Sequence, residues 1–191
     1  MQDLSFSFPT PHFQLGGFEF SVLIYTFRNV YAPDEAQMTV EQPGDTLWAG
    51  GKGLRWAGGQ MEMPGRFEVR ACICSHGIRV KTTAEIQNPG EDIRCIKVII
   101  HGIPDGKLVN LINAQPREIP QEGLNLKYPD GWRDVGTPLV VMQTPENEMF
   151  YFRSLDEKVR DKRFVFVRTG DKLNAELIFE EAAVSMTNRI D

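Results

Sequence analysis

Apolar and polar residues alternate over a long stretch in the middle of the chain. The alternation covers residues 66–74, resumes over 78–87 after the turn Ser75-His76-Gly77, and is followed by a third apolar run over 93–101. A period of two places successive side chains on opposite faces of a sheet. These runs therefore predict a β-hairpin with one solvated face, followed by a third strand.

Other stretches show related patterns. Residues 4–8 alternate and predict a half-buried strand, whereas residues 18–28 are apolar on both faces near their centre and predict a long buried strand. Residues 138–153 and 163–179 each contain two strand-like runs around a turn, which predicts two further hairpins.

Two regions look different because glycine and proline interrupt them. Residues 43–65 contain seven glycines and also Trp48 and Trp56, and residues 102–137 are broken in a similar way. Since these residues favour turns over regular structure, both regions are predicted to be mainly loop, with room for short strands in each.

The segment 153–163 mixes acidic and basic side chains. Such mixing is typical of a solvated connection, and a docking surface for a neighbouring domain is the alternative. Ser154 followed by Glu157 is the spacing of a helix cap, so a helix of at most two turns is expected there. The tail 180–191 shows no closing element, which favours a domain boundary or a fragment.

Many short strands with few helices predict an all-β fold, and the spacing of the strands favours a large antiparallel β-sandwich. At 191 residues the chain has the length of one domain. We therefore expect residues 1–191 to form a single domain, the N-terminal fragment of a longer protein.

Composition and charge limit the classes of partner that the chain is expected to bind. A net charge of -5 disfavours a nucleic-acid partner, and no apolar run approaches the ~20 residues of a membrane span. The N-terminus lacks the pattern of a signal peptide, and the three cysteines are too few for a disulfide framework, so a cytoplasmic location is expected.

No motif predicts a metal or a cofactor. The pair Cys72-x-Cys74, even with Cys95, matches no standard zinc spacing, so all three are expected to be buried free thiols. The run Gly50-Gly51-Lys52-Gly53 lacks the spacing of a phosphate-binding loop.

The tryptophans are the candidate ligand-binding residues. Trp132 lies between Asp130 and Arg133 in a polar, turn-rich segment, while Trp48 and Trp56 lie among glycines. Aromatic faces stack on sugar C–H surfaces while polar neighbours bind hydroxyls, so these residues predict a carbohydrate platform. The alternative is that Trp48 and Trp56 fill the ends of the sandwich core.

No catalytic residue is assigned. Asp130 and Asp134 share a segment with Trp132, but nothing beyond proximity makes them a catalytic pair. Glu68 and Glu85 fall on the solvated face of the predicted hairpin, where they are expected to form cross-strand charge pairs with Arg70, Arg79 and Lys81.

Several turn motifs carry a resemblance. They are Asn88-Pro89-Gly90 between two strands, Gly102-Ile103-Pro104 after the second of them, Gly58-Gly59-Gln60, and Pro64-Gly65-Arg66-Phe67. With these motifs, residues 18–180 resemble the N-terminal β-supersandwich (galactose-mutarotase-like) domain of large bacterial carbohydrate-active enzymes. In such enzymes the catalytic centre belongs to a following helical barrel.

The resemblance implies a non-catalytic accessory or substrate-positioning domain of a glycan-processing enzyme. Its partners would be carbohydrate or an adjacent catalytic domain. A stand-alone carbohydrate-binding module is the alternative, and a small enzyme with its site in the Trp132 segment is the third possibility.

Overall fold

A computed structural model describes residues 10–56, 61–75, 77–111, 113–128 and 135–191. It is 63% strand and 3% helical, and every strand pairing with a defined register is antiparallel. The prediction of an all-β, antiparallel, sandwich-like fold is confirmed. The strand predicted at 4–8 lies outside the described residues.

The described residues form sixteen strands and two 3-10 turns, the latter at Glu35–Gln37 and Ala183–Ser185. The strands are β1 (Phe13–Leu15), β2 (Phe18–Thr26), β3 (Val30–Pro33), β4 (Met38–Glu41), β5 (Thr46–Trp56), β6 (Glu62–Cys74), β7 (Gly77–Ile86), β8 (Ile93–Ile103), β9 (Lys107–Val109), β10 (Pro116–Glu118), β11 (Leu124–Tyr128), β12 (Leu139–Gln143), β13 (Met149–Arg153), β14 (Asp161–Thr169), β15 (Lys172–Glu180) and β16 (Arg189–Ile190).

The chain divides into two compact units. The first comprises Met1–Ile96 with Ala183–Asp191, and the second comprises Lys97–Ala182. That residues 1–191 act as one domain stays a prediction.

The first unit is built on a sheet with the order β2-β3-β5-β6-β7-β16, to which β1 adds on β2 and β4 adds on β5. The hairpin predicted from the central alternation is β6–β7, in register through Phe67 and Ala84. One face of this hairpin is buried, with Phe67, Val69 and Ala84 at most 5% exposed. The opposite face carries the charged residues, as the alternation predicts.

The second unit is a two-layer sandwich. One layer holds β11-β14-β15 with the end of β8, and the other has the order β10-β9-β12-β13. Side chains from both layers share one buried cluster, in which Phe152 of β13 meets Phe166 of β14 edge to face at 5.3 Å. The hairpins predicted at 138–153 and 163–179 are confirmed as β12–β13 and β14–β15.

The prediction that loop dominates residues 43–65 is wrong in the described part, because the eleven-residue strand β5 and the start of β6 run through it, while 57–60 lie outside the described residues. Glycines of this segment serve close backbone approach within a sheet. A Cβ at Gly51 would lie 2.4 Å from the Gln37 carbonyl oxygen, and one at Gly65 would lie 2.4 Å from that of Glu85. Glycine inside a strand marks such approaches as well as loops.

Two further expectations near the C-terminus are wrong. Residues 154–159 form no helix: the Ser154 hydroxyl accepts from the Asp156 amide at 3.2 Å, as a helix cap would, but no helical turn follows it. The tail does contain a closing element: β16 pairs with β7, and Thr187 bridges to Ile93.

Candidate functional site

The predicted ligand-binding residues fall in different parts of the chain. Trp132, Asp130 and Arg133 lie within 129–134, outside the described residues, so their role stays a prediction. Trp48 and Trp56 both lie on β5. The prediction that these two tryptophans sit on loops is therefore wrong.

Trp48 lies on the outer face of the first unit's sheet. Its direct neighbours across the strands are Glu41 of β4 and Arg70 of β6, and Arg70 in turn faces Lys81 of β7. Residues directly opposite in an antiparallel pair share a face. Trp48 is therefore one position in a charged row that crosses four strands.

The indole of Trp48 lies against Gly50, two residues along the same strand. A Cβ at Gly50 would meet the Cζ2 atom of Trp48 at 2.5 Å and its Cη2 atom at 3.0 Å. Only the missing side chain of glycine lets the ring occupy this position. Trp48 is half-buried, so it does not fill the core, as the alternative interpretation required.

Glu68 anchors this arrangement. It is opposite Gly50, and its carboxylate accepts two hydrogen bonds from Arg70, at 2.7 Å from Nε and 3.2 Å from Nη2. These bonds from Arg70 hold the pKa of Glu68 below its ordinary value, and the nearby Trp48 indole adds to this effect. The carboxylate and the guanidinium therefore orient each other.

A shallow depression of about 290 Å³ opens on the same face, and its lining includes Arg70, the residue opposite Trp48. Thr83 is opposite Glu68, and Arg189 is opposite Glu85, so β7 and β16 contribute to its wall. Its lining offers hydroxyl, carboxylate and cationic groups from Glu68, Arg70, Lys81, Thr83, Arg189 and Asp191. We call this set, together with Trp48 and Gly50, the Trp48 surface.

The predicted cross-strand charge pairs are confirmed in part. Glu85 accepts from Arg66 on the neighbouring strand, at 2.7 and 3.0 Å, and this lowers its pKa. Glu68 instead pairs with Arg70 on its own strand. This leaves Arg70 directly opposite Lys81, a like-charge pair.

Trp56 does not join the Trp48 surface. It is opposite Tyr31, whose side chain is fully buried, so the two share the inner face. Eight positions of strand also separate it from Trp48, roughly 25 Å at about 3.3 Å per residue. The structure therefore separates the two tryptophans that the sequence grouped together.

A second polar cluster, missed in the sequence, surrounds the buried carboxylate of Glu91. It accepts hydrogen bonds from the Thr26 hydroxyl at 2.9 Å, the Tyr31 hydroxyl at 3.0 Å and the Asn88 amide at 3.1 Å. Burial raises the pKa of Tyr31, and the bond to Glu91 adds to this. Thr26 belongs to β2 and Tyr31 to β3, while Asn88 belongs to the turn itself, so the cluster ties the turn at 88–92 to two neighbouring strands.

The cysteines and acids form no assembled centre where they are described. Cys95 is buried, but Cys72 is half-buried and Cys74 is exposed, so the prediction of three buried thiols is wrong for two of them. In the described part of the chain, no group of three or more His, Cys, Asp or Glu residues could hold a metal ion. Asp130 and Asp134 lie outside it.

Among the described residues, no helix is long and apolar enough to cross a lipid bilayer. Comparison with known proteins gives no matching family model, no matching curated protein and no matching solved structure. The resemblance to carbohydrate-active enzymes therefore rests on its turn motifs, and the structure shows the coarser all-β, sandwich-like fold.

Proposed function

We propose that this chain is a non-catalytic, substrate-positioning β-domain of a glycan-processing enzyme, and that it contacts the glycan through the Trp48 surface. The observation that carries this proposal is the Trp48 ring lying on Gly50, next to the hydrogen-bonded pair Glu68 and Arg70 on an open sheet face. A sugar ring presents C–H groups on its faces and hydroxyls at its rim. It needs an aromatic plane with polar groups beside it.

The surface supplies both. The indole is already fixed before any ligand arrives, which lowers the entropy cost of binding. The carboxylates of Glu68 and Asp191 can accept from sugar hydroxyls, and Arg70 and Thr83 can donate to them. The lining is open and shallow, which suits a polymer that passes across it more than a small molecule enclosed on all sides.

A stand-alone carbohydrate-binding module would use the same surface, so the single observation fits it as well. The adjacent catalytic domain distinguishes the two. A native polypeptide much larger than 21.7 kDa in its source cell supports the accessory domain, and one of that mass supports the module.

Binding is tested by titrating the protein with a panel of neutral and acidic oligosaccharides in a calorimeter. We expect Trp48→Ala to weaken binding tenfold or more, a loss of about 1.4 kcal/mol or greater. Trp56→Ala is the matched control, since it removes an indole from the same strand on the other face. Gly50→Ala should also weaken binding, because the new methyl group displaces the ring.

Unchanged binding in Trp48→Ala would exclude this surface. If Trp132→Ala then abolished binding, the glycan site would be the segment 129–134. If no member of the panel bound the wild-type protein, the carbohydrate proposal would be wrong as a whole.

A further inference from the structure

We infer that the Trp48 surface takes an acidic glycan, whose carboxylate or sulfate binds between Arg70 and Lys81 of that surface and Arg79, which lies two residues from Lys81 on the same face of β7. This inference rests on the proposed function and names its substrate class. The two can fail separately, because a neutral glycan could use the same indole.

Cationic side chains cluster on the outer face of the β6–β7 hairpin. Arg70 of β6 is directly opposite Lys81 of β7, and the next outward pair along the hairpin is Cys72 with Arg79. Three cationic side chains thus occupy neighbouring positions on one face, next to Trp48. Like charges directly opposite each other destabilise a sheet, so folding alone gives no reason for this choice.

The cations of this outer face differ in whether a carboxylate neutralises them. Arg66 is held by two hydrogen bonds to Glu85 on the adjacent strand. Lys81 acts on Glu68 only through its field, and among the described residues no carboxylate lies within ion-pair distance of Lys81 or Arg79. Two cations beside the indole therefore remain available to a ligand.

The charge of this face differs from that of the whole protein. The protein carries a net charge of -5, yet this face concentrates cations. Six of them point outward from four neighbouring strands: Lys52, Arg66, Arg70, Arg79, Lys81 and Arg189. The same face carries Glu41, Glu68, Glu85 and Asp191, and Glu85 and Glu68 are bonded to Arg66 and Arg70, so the excess positive charge lies at the other cations. A local excess of cations on an acidic protein attracts anions to that place.

A nucleic acid also combines rings with negative charge, so it is the other ligand that this surface could bind. Glu68 and Asp191 line the same depression as Arg70 and Lys81. A nucleic acid and a polyuronate each carry about one negative charge per unit, so charge alone does not distinguish them. Hydroxyl donors do: a nucleic-acid backbone offers few, whereas a uronic acid or sulfated sugar offers several beside each acidic group, and the carboxylates of Glu68 and Asp191 can accept from them.

The test uses matched ligands. Oligogalacturonate, oligomannuronate and hyaluronan oligosaccharides are each titrated as the free acid and as the methyl ester, which keeps the sugar and linkage but removes the charge. We expect at least one acid to bind tenfold or more tightly than its ester. That preference should shrink at 500 mM salt, where the Debye length is under about 5 Å.

Variants locate the anion. Lys81→Gln and Arg79→Gln should lower affinity for the acid toward that for the ester, whereas Lys172→Gln, an exposed lysine on the β14–β15 hairpin of the second unit, should leave both unchanged. Because Lys81→Gln removes a like-charge contact, its melting temperature should equal or exceed the wild-type value, so lost binding would not reflect unfolding.

Each outcome decides a separate question. Equal binding of acids and esters overturns this inference and leaves the proposed function standing. No binding of any glycan overturns both. Tighter binding of oligodeoxythymidylate than of every glycan also overturns both and assigns the surface to single-stranded nucleic acid.

Discussion

Arg160→Ala should destabilise the second unit by about 3 kcal/mol, an effect unusual for an arginine that follows a surface turn. The side chain of Arg160 is only 1% exposed, and it joins two carboxylates. It donates to Asp156 at 2.7 and 3.1 Å and to Glu181 at 2.7 Å. The prediction that segment 153–163 is a solvated connection is therefore wrong at its centre.

The magnitude follows from what the substitution leaves behind. Removing one partner of a buried ion pair costs about 3–5 kcal/mol, because the other charge stays buried without compensation. Glu181 would lose a buried cationic partner, but Asp156 would keep Lys162, whose Nζ lies 3.3 Å from it. This remaining contact places the cost at about the lower end of that range.

The pH dependence gives an independent check. Burial alone would raise the pKa of Asp156, but hydrogen bonds from Arg160 and from the Lys158 amide outweigh it, so the pKa lies below the ordinary value. Since the folded pKa is lowered, this stabilisation is complete above about pH 4 and is lost as the pH falls through the folded pKa. The gap between wild type and variant should therefore narrow in acid.

The assay is urea unfolding followed by circular dichroism at pH 7 and pH 3, with amide exchange of β14 and β15 to localise the effect. Lys127→Ala is the matched control, because its 2.8 Å pair with Asp161 is solvent-exposed and should contribute under about 1 kcal/mol. If Arg160→Ala cost no more than Lys127→Ala, the buried network would not stabilise this unit.

Two further predictions concern single positions. Gly123→Ala should destabilise the protein more than Gly170→Ala. Both glycines have positive φ, at 88° and 64°, and alanine in that region costs about 1–2 kcal/mol of stability. Only at Gly123 would the Cβ also meet a backbone oxygen, that of Phe166 at 2.5 Å. Thermal melts of both variants test this, and equal losses would contradict it. The pKa of Glu68 is lowered, so Trp48 fluorescence should stay constant from pH 7 down to about pH 4 and change only below it. The Trp48 signal is measured as the difference between wild type and Trp48→Phe. A change near pH 6 would contradict a lowered pKa of Glu68.

Local alternation predicted those parts of the fold in which one face is buried and the other solvated. The hairpins β6–β7, β12–β13 and β14–β15 are of this kind, because a strand and its neighbour along the chain carry the same period. Pairing between distant segments carries no such signal. That β16 returns to β7 depends on contacts across a hundred residues, and two residues of strand are too short to show a period.

The sequence predicts part of the candidate site. It indicates Trp48 as a ligand-binding residue and places Glu68, Arg70 and Lys81 on a solvated face. The sequence did not predict that these residues adjoin, because the glycines around Trp48 indicate a loop. A loop has no register, whereas the structure pairs Trp48 with Arg70 of β6. The spacing Trp48-x-Gly50 was the signal, since two residues at that separation share one face of a strand.

The glycines of β5 have different physical causes, and the difference bears on the site. Gly51 is required by a backbone oxygen, whereas at Gly50 the nearest obstacle is the Trp48 ring itself. Glycine in a strand and the opposed cations Arg70 and Lys81 each lower the stability of a sheet. Both occur on one face at positions that adjoin the half-exposed Trp48. Departures from local preference that cluster in this way are expected where a surface is shaped for a ligand, which supports the proposal for the Trp48 surface.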